Sequence, residues 1–221
     1  MAGPVVTLSF DNGPEPEVTP GVLDTLRRRG LRATFFVIGR KLAEHRKLAE
    51  RAHAEGHWIG NHTWTHERPL GEMPDEAATA EAEIGRTQAL IGNLSHPDRL
   101  FRPVGGGGTL GPHLLSGAAL DHLTQGGFTC VLWNAVPGDF RDAENWPERA
   151  LAMCRGPDPV ALVLHDLPNG AMRQLDRFLG RLEDAGARFA QDFPPSCIPL
   201  HRGEAIGPIA RYTTRHTGAA A

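Results

Sequence analysis

The sequence predicts an α/β fold in which helices cover a parallel sheet, either open or closed into a barrel. Three observations support this. Short apolar, strand-like runs alternate with helical segments about six or seven times along the 221 residues. Glycines such as Gly30, Gly56 and Gly186 end the helical segments. Polar side chains follow the strands, as is typical of the carboxyl edge of a parallel sheet.

The length suits a single larger domain, which we expect to span residues 1–215, with a flexible tail over residues 216–221. The net charge is -3 and the basic residues are scattered, so neither nucleic acid nor a membrane surface is an expected partner. The three cysteines are far apart, which argues against a disulfide framework. The chain begins without a leader-like segment, which favours the cytoplasm unless a leader was removed. The oligomeric state stays open.

The first elements follow from apolar runs and end signals. Residues 4–8 form an apolar strand that leads into the stretch from Ser9 to Pro14. Thr19 and Pro20 are typical of an N-cap followed by proline in the first helical turn, and Gly30 ends that helix. Further strands are expected at residues 33–39, 57–60, 100–103, 128–133, 160–164 and 188–190, and further helices at residues 41–54, 74–90, 114–123, 146–154 and 172–185.

Two of these helices carry distinct faces. In the helix at residues 74–90, Glu76, Glu81 and Glu83 are expected to form a solvated acidic face. In the helix at residues 172–185, apolar side chains recur at helical spacing and predict a core-facing stripe. From Phe193 onward the chain is rich in proline, glycine and basic residues, and we expect it to wrap the surface.

Polar residues mark five predicted strand ends. Since parallel strands share one carboxyl edge, these side chains are expected to converge. The alternative at each position is an ordinary strand-end turn or a structural salt bridge. The residues are Asp11 with Asn12, His62 with His66, Arg102, Asp139 and His165.

His62 and His66 are four residues apart, and on a helical turn both imidazoles would share one face and reach one divalent ion. An oxygen of Asn12 would complete a three-point site that leaves positions for water and substrate, as in catalytic zinc sites. The alternative is that the two histidines are ordinary surface or core residues, because the spacing alone is a loose motif.

The remaining residues suit acid–base chemistry. Asp11 would be the general base for the attacking water, and Arg102 would pair with it and keep its pKa low. His165 would act as general acid toward a leaving amine, and Asp139 would orient it. The glycines after Arg102 either present N–H groups to an oxyanion or form a flexible loop.

The order of these residues resembles the polysaccharide deacetylase family, also called NodB-homology proteins or carbohydrate esterase family four. Four stretches resemble the family's motifs T-F-D-D-G-P, G-N-H-S/T-x-x-H, R-x-P-Y-G and L-x-H. Trp133 and Asp139 match half of a further motif, W-x-x-D-x-x-D-W. The four stretches are residues 9–14, 60–66, 102–106 and 163–165, and the matches span about three quarters of the chain in family order.

The resemblance implies a single-domain distorted (β/α) barrel of about seven parallel strands. It also implies hydrolysis of non-peptide C–N bonds, in the form of divalent-metal-assisted removal of N-acetyl (or O-acetyl) groups from sugars, with zinc as the expected metal. The roles implied are Asp11 as base, His165 as acid, His62 and His66 as metal ligands, Arg102 and Asp139 as orienting groups, Gly105 as the oxyanion N–H donor and Trp133 as a wall of the substrate groove.

Several positions depart from the family pattern. Asn12 stands where the family has a metal-binding aspartate, and its neutral amide is a poorer ligand. Val104 and Gly105 depart in the third motif, and Val136 and Phe140 replace Asp and Trp in the fourth. Three outcomes therefore stay open: a deacetylase with a weakened metal site, a metal-independent amidohydrolase acting on a small cyclic amide or imide, and a non-catalytic carbohydrate-binding relative. The first is our leading hypothesis.

Overall fold

The computed structural model describes residues 3–214, and a distorted barrel of mostly parallel strands organises them. The predicted number of about seven parallel strands is confirmed within this range, because β1 to β7 all pair in parallel with one another. The antiparallel pairs are β5–β8 and β8–β9. The strands are β1 Val5–Gly13, β2 Thr34–Val37, β3 Trp58–Asn61, β4 Leu100–Phe101, β5 Thr129–Cys130, β6 Val160–His165, β7 Arg188–Ala190, β8 Leu200–His201 and β9 Glu204–Ala205.

The strand order is β6-β1-β2-β3-β4-β5, so β1 lies between β6 and β2, and β7 also pairs with β1. The sheet closes between β5 and β6, because Ala135, which follows β5, forms a parallel bridge with Leu162 of β6. Ala135 accepts a hydrogen bond from Val163 N at 2.9 Å. This single bridge replaces a full ladder, which is why the barrel is distorted.

Helices surround the barrel in alternation with the strands. They are α1 Thr19–Arg29, α2 Gly39–Ala54, α3 Ala77–Ala80, α4 Arg86–Ile91, α5 Gly117–Gln125, α6 Trp146–Met153 and α7 Leu175–Asp184. The apolar stripe predicted for the last helix is confirmed, since Leu175, Phe178, Leu179 and Leu182 are all buried in the main core. That core also contains Val6, Leu8 and Phe10 of β1, whose side chains are excluded from solvent, as is typical of parallel strands.

The start of α1 differs from the sequence-based expectation. Val18 precedes the helix and Thr19 is its first residue, so Thr19 is not the N-cap. Its hydroxyl instead accepts a hydrogen bond from Glu15 N at 2.7 Å and donates one to Asp166 Oδ2 at 2.5 Å. The predicted end is confirmed: Gly30 has φ 65° and its N–H bonds the carbonyl of Arg27 at 3.1 Å.

The expected acidic face of the third helical segment was wrong at one position. A π-helical turn, Glu81–Gly85, joins α3 to α4 and shifts the faces of the two helices relative to each other. Glu76 and Glu81 are exposed as expected, but Glu83 is buried. A regular helical projection does not anticipate this rotation.

The region after Phe193 is more regular than predicted. It packs β8 against β5 in the antiparallel direction, and β8 turns back through β9. The predicted flexible tail at residues 216–221 lies outside the described residues. Within the described part of the chain, no helix combines the length and the apolar composition that a membrane crossing requires.

Candidate active site

The end of β1 carries a buried ion pair. Arg102, which follows β4, is fully buried and donates from Nη1 to Asp11 Oδ1 at 2.8 Å and to Ser9 Oγ at 2.7 Å. Its guanidinium carbon lies 4.0 Å from the ring centroid of Phe36. Two main-chain carbonyls after β5, those of residues 131 and 132, accept from its other nitrogens at 3.3 and 3.4 Å. These contacts fix the position of the carboxylate.

The charge of Asp11 follows from these neighbours. Burial by itself raises the pKa of the carboxyl, but the charge and hydrogen bond of Arg102, together with the charges of His62 and His165, outweigh burial, and the pKa of Asp11 is lowered overall. Asp11 is therefore ionised at neutral pH. Its second oxygen, Oδ2, lies 3.6 Å from His62 Nε2.

The two histidines come together through a loop, not through the helical turn that their spacing suggested. His62 follows β3, and a bend with positive φ at Thr63 (65°) and His66 (56°) brings the two rings to a centroid distance of 4.7 Å. His62 Nδ1 lies 2.8 Å from the carbonyl oxygen of Arg102. That hydrogen bond places the proton on Nδ1 and leaves Nε2 as an acceptor.

Both imidazoles are neutral, as metal ligands must be. Burial lowers the pKa of His62, and burial lowers the pKa of His66 to about 3. Asn12 has φ 72°, a left-handed conformation that asparagine tolerates better than most residues. Its Oδ1 is buried and has no hydrogen-bond partner within the described residues.

These three side chains fit a divalent cation. Two neutral imidazoles and an orphaned amide oxygen supply nitrogen and oxygen donors of the kind that zinc accepts. Within residues 3–214, no group of three or more His, Cys, Asp and Glu side chains is placed to hold a metal. The candidate set differs from such a group because its third member is an amide.

A second charged pair lies at the end of β6. His165 Nδ1 is 2.9 Å from Asp139 Oδ1, and His165 N donates to Asp139 Oδ2 at 2.8 Å. Burial by itself lowers the pKa of the imidazole, but the hydrogen bond and charge of Asp139 outweigh it and raise the pKa of His165. Phe140 packs edge-on against the ring at a centroid distance of 4.8 Å. The arrangement favours the protonated form of the imidazole.

One cavity of about 360 Å³ joins these groups. Trp133 and the glycine run 105–108 form one wall, where Trp133 Nε1 donates to the carbonyl of Gly108 at 2.9 Å. A Cβ at Gly105 would lie 2.7 Å from the Trp133 ring, so the close approach requires glycine. Of the predicted site residues, Asp11, Asn12, His62, His66, Gly105, Trp133 and His165 line the cavity, while Arg102 and Asp139 lie behind Asp11 and His165.

The sequence reasoning missed two buried carboxyl groups next to the site. Glu83 accepts hydrogen bonds from the loop between the two histidines. Asp166 donates from its backbone N to Asp11 O at 2.9 Å, and burial raises the pKa of its side chain to about 7. Asp166 directly follows His165, which was a usable signal. Nothing in the local sequence distinguishes Glu83 from the exposed glutamates beside it.

Comparison with known proteins places this site in a family context. Residues 1–117 match the model of the family described as polysaccharide deacetylase. The chain is 30% identical over 188 residues to the peptidoglycan-N-acetylglucosamine deacetylase PgdA of Listeria monocytogenes, covering 83% of this chain and 37% of that protein. It is 46% identical over 141 residues to the chitooligosaccharide deacetylase of a Bradyrhizobium strain, covering 61% of this chain and 58% of that protein. The chain thus spans little more than a third of the length of the Listeria relative.

Solved structures of carbohydrate esterases and deacetylases are also similar to this chain. A family 4 carbohydrate esterase from Streptomyces lividans, in complex with acetate, superposes with a TM-score of 0.71 at 25% identity, covering 94% of this chain and all of that one. The Bc1960 peptidoglycan N-acetylglucosamine deacetylase superposes with a TM-score of 0.70 at 28% identity, covering 86% of this chain and 88% of that one.

Proposed function

Because the chain belongs to the polysaccharide deacetylase family, we propose that it hydrolyses the N-acetyl group of a sugar, releasing acetate and leaving a free amine. The observation that carries this proposal is that a group suited to act as a base and a group suited to act as an acid line the same cavity. Asp11 is an ionised carboxylate and His165 is an imidazole with a raised pKa, and each is held by a buried partner. Separated pKa values of this kind suit a base and an acid working in one reaction.

Asp11 accepts a proton from the water that attacks the acetyl carbon. Its ionised state is maintained by Arg102, which also fixes the carboxylate by a 2.8 Å hydrogen bond. The resulting tetrahedral centre carries negative charge on the former carbonyl oxygen. The N–H of Gly105 is available to that oxygen, because it bonds no acceptor within the described residues.

His165 donates a proton to the sugar nitrogen as the C–N bond breaks. Asp139 holds Nδ1, which leaves Nε2 for the substrate, and it stabilises the protonated ring. The amine then leaves without passing through an unstable anion. The indole of Trp133 and the ring of Phe140 provide apolar surface beside the acetyl group.

Asn12 Oδ1, His62 and His66 are the side chains that would hold a divalent ion such as zinc. When bound, the ion would polarise the acetyl carbonyl and lower the pKa of the attacking water. The neutral His62 and His66 are ready to bind without losing protons. Asn12 contributes no charge, so this chain balances less of the ion's charge than the family's aspartate does.

Acetate release from an N-acetylated chito-oligosaccharide tests the proposal. We expect the wild-type protein, supplied with zinc, to release acetate and Asp11→Asn to do so about 10²–10⁴-fold more slowly, since it cannot accept the proton. Asp121→Asn, an exposed aspartate on α5, serves as the matched control and should retain the full rate. An Asp11→Asn variant as fast as wild type would rule out this assignment.

A further inference from the structure

The π-helical turn between α3 and α4 carries a buried carboxylate, Glu83, whose side-chain hydrogen bonds go to a loop outside its own helix. Glu83 is 5% exposed, although Glu81 at the start of the turn and Arg86 just after it are both exposed. A π-turn inserts one extra residue into a helix, and such turns are frequent at functional sites. Its effect here is to rotate Glu83 away from solvent and toward the barrel.

Glu83 contacts the loop that separates the two histidines. Its Oε2 accepts from Trp64 N at 3.0 Å and from Thr65 N at 2.9 Å, and its Oε1 accepts from Thr65 Oγ1 at 2.9 Å. All three donors lie between His62 and His66. An ionised carboxylate, which only accepts, suits three donors better than any neutral side chain.

The same turn also holds the start of that loop. Asn61 Nδ2 donates to the carbonyl of Ile84 at 2.9 Å, and Asn61 Oδ1 accepts from Thr63 N at 3.1 Å. Thr63 has φ 65°, which is unfavourable for a β-branched residue and persists only where surrounding contacts enforce it. The π-turn therefore fixes the backbone of the loop both at Thr63 and just before His66.

We propose that Glu83 is a positioning residue for the ligand site formed by Asn12, His62 and His66. It sets the conformation of the loop, and so it determines where the His66 imidazole lies relative to His62. The inference rests on the proposed function in so far as the site binds a metal ion. Groups that orient metal ligands are typically worth about 10–100-fold in affinity.

Zinc affinity of Glu83→Gln, measured on metal-stripped protein by competition with a chromogenic chelator, tests this role. The amide that replaces the carboxylate would turn its NH₂ toward N–H donors, so we expect zinc affinity to fall about 10–100-fold. Glu81→Gln is the matched control: it lies in the same turn, its side chain is 70% exposed, and its ionic partner, His122, is 3.9 Å away. Its zinc affinity should equal that of wild type.

Amide hydrogen exchange at Trp64 and Thr65 in the metal-free protein provides the independent readout. Exchange should accelerate in Glu83→Gln and stay unchanged in Glu81→Gln. If wild-type protein binds no zinc, the metal assignment of the proposed function fails, while faster exchange in Glu83→Gln still supports the positioning role.

Two results would overturn the inference. One is that the amides of Trp64 and Thr65 exchange at the wild-type rate in Glu83→Gln. The other is a lowered unfolding midpoint with zinc affinity intact, which would make Glu83 merely structural. Should Glu83→Gln not fold, Thr65→Val removes the Oε1 contact while leaving both Oε2 contacts, and it also removes the 3.3 Å hydrogen bond from Glu67 N. It is expected to weaken zinc binding in the same direction by a smaller factor, and unchanged binding there would count against the proposal.

Discussion

The two sides of the cavity differ in how their polar groups are satisfied. Two ion pairs, Asp11–Arg102 and His165–Asp139, are called the proton-transfer pairs after their proposed role, and each joins an acid and a base at 2.8–2.9 Å. The ligand cluster, Asn12 with His62 and His66, contains only neutral groups, and the amide oxygen of Asn12 has no partner within the described residues. The charges of the first set are paired with each other, whereas the second set contains a buried acceptor that no protein donor within the described residues satisfies.

Under the proposed function, this difference separates the groups that must be paired for the protein to fold from the groups that would bind a ligand. A buried charge is costly unless it is paired, and the proton-transfer pairs meet that condition. An orphaned buried amide oxygen is a smaller cost that a bound cation would remove. Disturbing the pairs should therefore affect stability and rate strongly, whereas changes in the ligand cluster should act mainly on metal binding.

Arg102→Met is expected to have the largest effect. It removes the cation and leaves Asp11 buried without a partner, which costs about 3–5 kcal/mol of unfolding free energy. The lowered pKa of Asp11 means that the pair contributes stability above the unfolded pKa of aspartate, about 3.9, and loses it as pH falls through the folded pKa. Urea unfolding from neutral to acidic pH should show this loss in wild type and a flatter profile in the variant.

Arg177→Met, at an exposed position on α7, is the matched control for that experiment and should unfold as wild type does. An Arg102→Met protein of wild-type stability would show that Asp11 does not need the pairing with Arg102 to remain buried.

Asp139→Asn should have the next largest effect, on rate and on its pH dependence. Without the carboxylate the pKa of His165 falls, because burial is no longer outweighed. The acid is then lost at lower pH, so the basic limb of kcat/KM should move to lower pH and the rate near neutrality should drop about 10–100-fold. Asp158→Asn, in an exposed loop, controls for the charge change. An unmoved basic limb would exclude His165 as the group that titrates there.

The fold was accessible from sequence because its signals are local. The parallel strands follow from apolar runs that alternate with helices, and the helix end at Gly30 follows from the left-handed conformation that glycine permits. The antiparallel strands β8 and β9 were missed because they lie in a stretch rich in proline, glycine and basic residues. That stretch lacks the apolar run that marks the equally short β4 and β5.

The grouping of the site residues was also accessible, because the carboxyl ends of parallel strands meet at one edge of the sheet. What the sequence does not contain is the route by which they meet. A spacing of four is compatible with a helical turn, yet His62 and His66 meet through a bend with two positive φ angles. Glu83 reaches that bend only because a π-turn rotates it inward, and a regular helical projection has no place for that turn.

Asn12→Asp is expected to strengthen metal binding by the ligand cluster. A carboxylate adds a full negative charge beside a divalent ion, which should tighten zinc binding by about tenfold or more. Titration of metal-stripped protein with zinc measures this directly. Zinc should also restore acetate release to stripped wild-type protein. Activity that survives complete metal removal, together with no gain in affinity for Asn12→Asp, would instead favour the metal-independent alternative.

Trp133→Phe should have the smallest effect, because it keeps an aromatic wall and removes a single hydrogen bond. Trp133 Nε1 donates to the carbonyl of Gly108 at 2.9 Å, and Gly108 is not fully buried, so water can replace the lost donor. We expect a loss of about 0.5–1.5 kcal/mol in unfolding free energy and a modest rise in KM, with kcat close to wild type. Steady-state kinetics separate the two parameters. A large fall in kcat would mean that the Gly105 N–H acts on the reacting atoms only while Trp133 holds the 105–108 loop in place. The proton-transfer pairs would then not be sufficient without the contact between Trp133 and that loop.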